Sequence, residues 1–195
     1  MRSKSTLLLI CLVGLALTSC GTYRMYVNDE ADFGYYQRVG VIPFSNLSSD
    51  RNASEKVTAA MVTELLIGGK VEVANMGDIA KAFKTVIKDD RYNLPEQLTA
   101  EEAQALGKEG NLQGIFVGAV RDYSMTRSGQ DEFPLVSIAI RLFDCQSGRV
   151  VWSYEITEKG GPKFPIFSFG ETHTLGELTS KVCGKVAKAF TETLK

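Results

Sequence analysis

Phe133-Pro-Leu-Val-Ser-Ile-Ala-Ile-Arg-Leu-Phe-Asp144, Cys145-Gln-Ser-Gly148 and Arg149-Val-Val-Trp-Ser-Tyr-Glu-Ile-Thr157 follow one another without a break. In the first piece Val136, Ile138, Ile140 and Leu142 alternate with Ser137, Ala139 and Arg141. A period of two marks a strand with one face buried. The second piece is a tight turn closed by glycine. The third is another strand and carries the chain's lone tryptophan, Trp152. Upstream, Gly114 to Tyr123 is an apolar strand, joined to the first piece through Ser124 to Glu132, which reads as a polar hairpin loop. Three consecutive strands make a meander.

Outward from the meander the pattern changes. Arg38-Val-Gly-Val-Ile-Pro-Phe44 is a short apolar run bounded by turn residues, the mark of a buried strand. Val57, Ala60, Met61 and Leu65 recur at helical spacing before Gly68-Gly69. Lys70 to Ala74 is a short strand, and Ile79, Phe83, Val86 and Ile87 share a helix face. Thr99-Ala-Glu-Glu102 has the form of a capping box at the start of a third helix. Leu178, Val182, Val186 and Phe190 stripe the last one. The predicted order is β-α-β-α-α-β-β-β-α. The fold class is therefore α/β (α+β), a single domain with helices packed on a mixed sheet.

The N-terminus has a separate logic. Arg2 and Lys4 precede the apolar Leu7–Leu17, and Thr18-Ser19 precede Cys20. That order is a secretory signal peptide, too short to span a bilayer. The run Leu17-Thr18-Ser19-Cys20 resembles the bacterial lipobox. The resemblance implies removal of residues 1–19 and lipid attachment at Cys20. Gly21, in place of an aspartate, favours an outer-membrane anchor facing the periplasm. Residues 20–37 read as a lipidated N-terminus with a short linker rich in Tyr23, Tyr26, Phe33, Tyr35 and Tyr36, and 38–195 as the globular domain.

Loss of Arg2 and Lys4 leaves 20 basic against 23 acidic side chains, a net charge of −3. No basic stripe suits a phosphate backbone, so nucleic acid is not an expected partner. Cys145 and Cys183 remain in an oxidising compartment, and whether they pair is open at this stage. No C-x-x-C spacing, calcium loop or phosphate loop is present, so no metal or cofactor is expected. His173 is the only histidine and has no Gly-x-Ser-x-Gly elbow to serve. The expectation is a non-enzymatic protein. Its partner-binding candidate is Lys163-Phe-Pro-Ile-Phe-Ser-Phe-Gly170, with Phe164, Ile166, Phe167 and Phe169 held from regular pairing by Pro165. The tip Arg127 to Glu132 is a second candidate.

Val39-Gly-Val-Ile-Pro-Phe-Ser-Asn-Leu47, Thr99 to Lys108, Gly114-Ile-Phe-Val-Gly118 and Arg141 to Trp152 together resemble a family of bacterial envelope domains. That family includes the curli-secretion lipoprotein CsgG, the penicillin-binding-protein activator LpoB and the N-terminal domain of TolB. The resemblance covers roughly residues 38–195. It implies a lipoprotein that binds or scaffolds other envelope proteins, with homo-oligomer formation as an option. The alternatives it implies are a subunit of a CsgG-like secretion apparatus and a regulator of a peptidoglycan synthase. The loops at 124–132 and 158–170 lack the long apolar alternation of barrel hairpins, which argues against a channel. The short linker differs from the long tether of LpoB-type activators.

Overall fold

The computed structural model describes residues 22–87, 98–161 and 171–194. Seven strands form one mixed sheet: β1 (Thr22–Val27), β2 (Arg38–Val41), β3 (Ser45–Asn46), β4 (Glu72–Val73), β5 (Gly114–Ser128), β6 (Asp131–Asp144) and β7 (Val150–Lys159). Four helices pack on it: α1 (Ala53–Gly68), α2 (Met76–Val86), α3 (Ala100–Gly110) and α4 (Leu175–Thr193). The sheet order is β1-β7-β6-β5-β2-β4, with β3 continuing beside β5 after β2 ends. β5, β6, β7 and β1 pair antiparallel, whereas β2, β3 and β4 join in parallel. The expected order and fold class hold, with β1 and β3 added.

Sequence explains which strands are sealed on both faces. Val39, Val41 and Ile42 are all buried, and so are Ile115, Phe116 and Val117 of β5. Parallel strands covered on both sides read as continuous apolar runs. One face meets α1 and α4 through Val57, Met61, Leu65, Val182, Val186 and Phe190. The other meets α2 and α3 through Ile79, Phe83, Ala103 and Leu106. The capping box forms as predicted: Thr99 Oγ1 accepts from Glu102 N–H at 3.2 Å, and Glu102 accepts from Thr99 N–H at 2.9 Å.

Among the described residues the second helical layer reaches β7 only at its first residue, Val150, and leaves the rest of β7 and β1 without a helix on that face. There the outer row is Arg141, Ser153, Glu155, Thr157, Arg24 and Tyr26, whose cross-strand partners lie on one face. The opposite face holds Ile138, Ile140, Leu142, Trp152, Tyr154 and Ile156 against α4. β5 changes character at a bulge between Val120 and Asp122, where its two-sided apolar run gives way to Arg121 and Asp122.

Two expectations are corrected. Ser124 to Glu132 is no loop: β5 and β6 continue to Ser128 and from Asp131, leaving a two-residue turn with Gly129 at φ 69°. Most of the segment read as a linker belongs to the domain. Thr22–Val27 forms the edge strand on β7, and Phe33 and Tyr36 are buried in the core. Tyr23, Met25 and Val27, spaced two apart, carry a strand signal, but their place just after Cys20 makes the segment read as a linker.

Candidate functional site

Cys20, Phe164, Ile166, Phe167 and Phe169 lie outside the described residues. Among the described residues, what the structure shows instead is a half-open end of the sheet with two features, an open polar face and an aromatic groove beneath β1.

The open face is held by its own cross-strand contacts. Arg121 donates to both Glu155 oxygens, at 3.1 and 3.3 Å, reaching over Ala139. Ser137 and Thr157 share a hydroxyl hydrogen bond of 2.8 Å. Arg141, Arg24 and Tyr26 complete the surface. A flat patch that mixes two arginines, an exposed tyrosine and a shared ion pair suits recognition of another protein rather than chemistry on a small molecule.

The groove runs between β1 and the C-terminal half of α4, with a volume of about 630 Å³. Tyr23, Met25 and Val27 form one wall, Lys185, Lys188 and Glu192 the other, and Tyr154 and Phe33 the floor. Tyr23 stacks on Tyr154 at 5.4 Å between ring centres, and Tyr154 stacks on Trp152 at 5.8 Å. Trp152 meets Phe190 edge-on at 5.6 Å. The ladder therefore runs from solvent to the centre of the core. Burial, then Tyr23 and the Glu158 carboxylate, raise the Tyr154 phenol above its ordinary value. Trp152 is fully buried.

Catalytic chemistry finds little to work with among the described residues. No cluster of three histidine, cysteine or acidic side chains could hold a metal there. His173 is exposed at the approach to α4, with Nε2 2.8 Å from Glu171 Oε2 and its ring tilted beside Phe133. Cys145 and Cys183 are free and buried on opposite sides of the sheet, Cys145 under α2 and α3, Cys183 in α4. The open question of a disulfide closes there. Burial pushes both thiols up to about 12, helped by Asp144 and Glu64 respectively, so neither is a nucleophile near neutral pH. The Arg127–Glu132 pair near the β5–β6 tip is an exposed 3.0 Å ion pair. No described helix is long and apolar enough to cross a membrane.

The signal for β1 was available in Tyr23, Met25 and Val27 alternating with Arg24 and Tyr26. The open face had no such signal, because its polar row is legible as exposed but not as uncovered.

Comparison with known proteins agrees with this architecture. The model of the family described as peptidoglycan-synthase activator LpoB matches residues 23–157, from β1 through most of β7. Comparison with curated protein sequences finds no match. Among solved structures, the PelC dodecamer from Paraburkholderia phytofirmans aligns with a TM-score of 0.55 at 20% identity, covering 87% of this chain and 96% of that one. Lipoprotein GNA1162 from Neisseria meningitidis aligns with a TM-score of 0.53 at 19% identity, covering 78% and 99%. At such identities the likeness is one of fold. The family description is that of a regulator of peptidoglycan synthases, and the solved structures add likeness of fold alone.

Proposed function

The chain belongs to the peptidoglycan-synthase activator LpoB family, and from that premise we propose that it is a non-catalytic lipoprotein that acts by binding another envelope protein. Its anchor is lipid on Cys20, placing it on the outer membrane with the domain in the periplasm. Its partner class is a peptidoglycan synthase, and its contact surface is the open face of β6, β7 and β1. The observation that carries the reading is the extent of the family match, residues 23–157, which takes in β6 and nearly all of β1 and β7.

β1 begins at Thr22, so only Gly21 stands between the anchor and the sheet. The partner must come to the membrane surface, because the domain has almost no tether with which to travel. Binding of the purified lipoprotein to a purified synthase from the same bacterium tests the proposal. Saturable binding, weakened by Arg141→Glu, is the expected result. Absence of binding at micromolar concentrations defeats it. Cys20→Ala is expected to release the protein from membranes, and retention after signal cleavage would defeat the anchor.

Self-assembly is a second reading, supported by the fold shared with a protein that forms a dodecamer and by the outer edge of β1, which no described strand pairs. Sedimentation of the lipoprotein in detergent decides it: a single large species supports assembly, a monomer counts against it.

A further inference from the structure

The strand register fixes how the sheet meets the membrane. Thr22 stands beside Thr157 of β7, and Thr157 beside Ser137 of β6. β6 begins at Asp131, further along in the direction from which β1 enters. At about 3.4 Å per residue, the β5–β6 hairpin overhangs the start of β1 by about 20 Å. The two peptide units from Cys20 to Thr22 reach about 7 Å at full extension.

Suppose the strands stood upright on the bilayer with Cys20 acylated, the reading on which this inference rests. The hairpin tip would then lie more than about 10 Å below the attachment level, deeper than a headgroup layer of about 5–7 Å. That tip region carries Arg127, Asp131 and Glu132, all exposed, with Arg127 paired to Glu132. Such charges are costly in hydrocarbon. The hairpin clears the membrane only if the strands lie over or if β6 rides above β1. Both arrangements keep the start of β1, tethered by two peptide units, within about 7 Å of the attachment level.

β1 is built for that place. Tyr23, Tyr26 and Met25 are 64%, 50% and 49% exposed, the first two among the most exposed aromatics of the described chain. Tyrosine is favoured at the headgroup level, where one end of the ring is wet and the other apolar. Among the described residues β1 is also an edge strand, with a single charge, Arg24, and no lysine, proline or bulge, so it has few of the devices that keep other edges from pairing. We propose that β1 is a membrane-docking edge, lying along the headgroup layer so that the sheet stands on it and the open face looks sideways across the membrane surface. The partner for this edge is the lipid surface itself.

The test uses the full lipoprotein in vesicles of phosphatidylethanolamine and phosphatidylglycerol containing brominated phosphatidylcholine. Trp152 is fully buried and supplies a constant background. Tryptophan is placed in turn on the edge (Tyr23→Trp, Tyr26→Trp), at the tip (Gln130→Trp) and near the far edge (Lys70→Trp). Bromine quenching of the two edge variants is expected to exceed that of the tip and far-edge variants by about twofold or more, as for indoles at headgroup depth. Equal or stronger quenching at the tip overturns the proposal. So does the absence of quenching on the edge in protein that still floats with vesicles, the result a second copy paired along β1 would give. Protein that does not float, with an N-terminal mass lacking the diacylglyceryl group, identifies instead a failure of the lipid-anchor reading and removes this inference with it.

Discussion

Two halves of one sheet have opposite fates. At β2 and the first part of β5, helices cover both faces and the strands are apolar on both sides. At β6, β7 and β1, α4 covers one face and the other presents Arg141, Glu155, Arg24 and Tyr26. The sealed half supplies rigidity, since every side chain there has a fixed neighbour. The half-open end supplies surface. A fold of this kind can serve unrelated tasks by changing the open rows while leaving the sealed ones alone.

The comparison breaks most easily in the sealed half. Phe83→Ala removes a buried ring between α2 and the sheet, and a loss of about 3–5 kcal/mol is expected from urea unfolding. A loss below about 1 kcal/mol would mean that the α2–α3 layer is not part of the cooperative core. At the seam between halves, a Cβ on Gly107 would stand 2.3 Å from Cys145 Cβ. Gly107→Ala should push α3 off the β6–β7 turn and cost about 1–3 kcal/mol, read as a lower thermal midpoint. Thr99→Ala removes the cap of the same helix and should cost about 1 kcal/mol. On the open face, Arg121→Ala breaks the half-exposed pair with Glu155, and a change within about 1 kcal/mol is expected. An equal cost for Arg121→Ala and Phe83→Ala would erase the distinction between the halves.

Alkali titrates both layers. Cys145 and Cys183 have ordinary values of 9.0 and folded values raised to about 12 by burial. Tyr36 and Tyr154, ordinarily at 10.0, are raised in the same direction, again chiefly by burial. For groups raised on folding, the stability contribution is fully present below the ordinary value and is lost as pH climbs through the raised one. The urea midpoint should therefore hold from pH 7 to about 9 and fall steadily toward 11. A flat profile across that range would contradict the burial of these groups.

Much of the sealed half was legible in the sequence. Val39-Gly-Val-Ile42 and Ile115-Phe-Val117 read as buried strands because both side-chain rows are apolar, and the Thr99–Glu102 box forms as expected. The open end was legible only in part. The meander from Phe133 to Thr157 followed from alternation, but Ser124 to Ser128 looked like loop because an exposed hairpin has no apolar row to announce it. β1 looked like linker because its pairing with β7 is a contact between residues more than a hundred positions apart. The candidate surface was the least legible of all: the polarity of Arg141 and Glu155 shows that they face water, while whether a described helix covers them depends on where α2 and α3 end.

The most direct measurement is glycan-strand synthesis from lipid II by a purified peptidoglycan synthase of the same bacterium. It would be run with the wild-type protein, with Arg141→Glu on the open face and with Lys84→Glu on the outside of α2. Stimulation by wild type and Lys84→Glu, lost with Arg141→Glu, is the predicted result. No stimulation by wild type, or equal stimulation by all three, would contradict the claim that this protein works through the open half of its sheet.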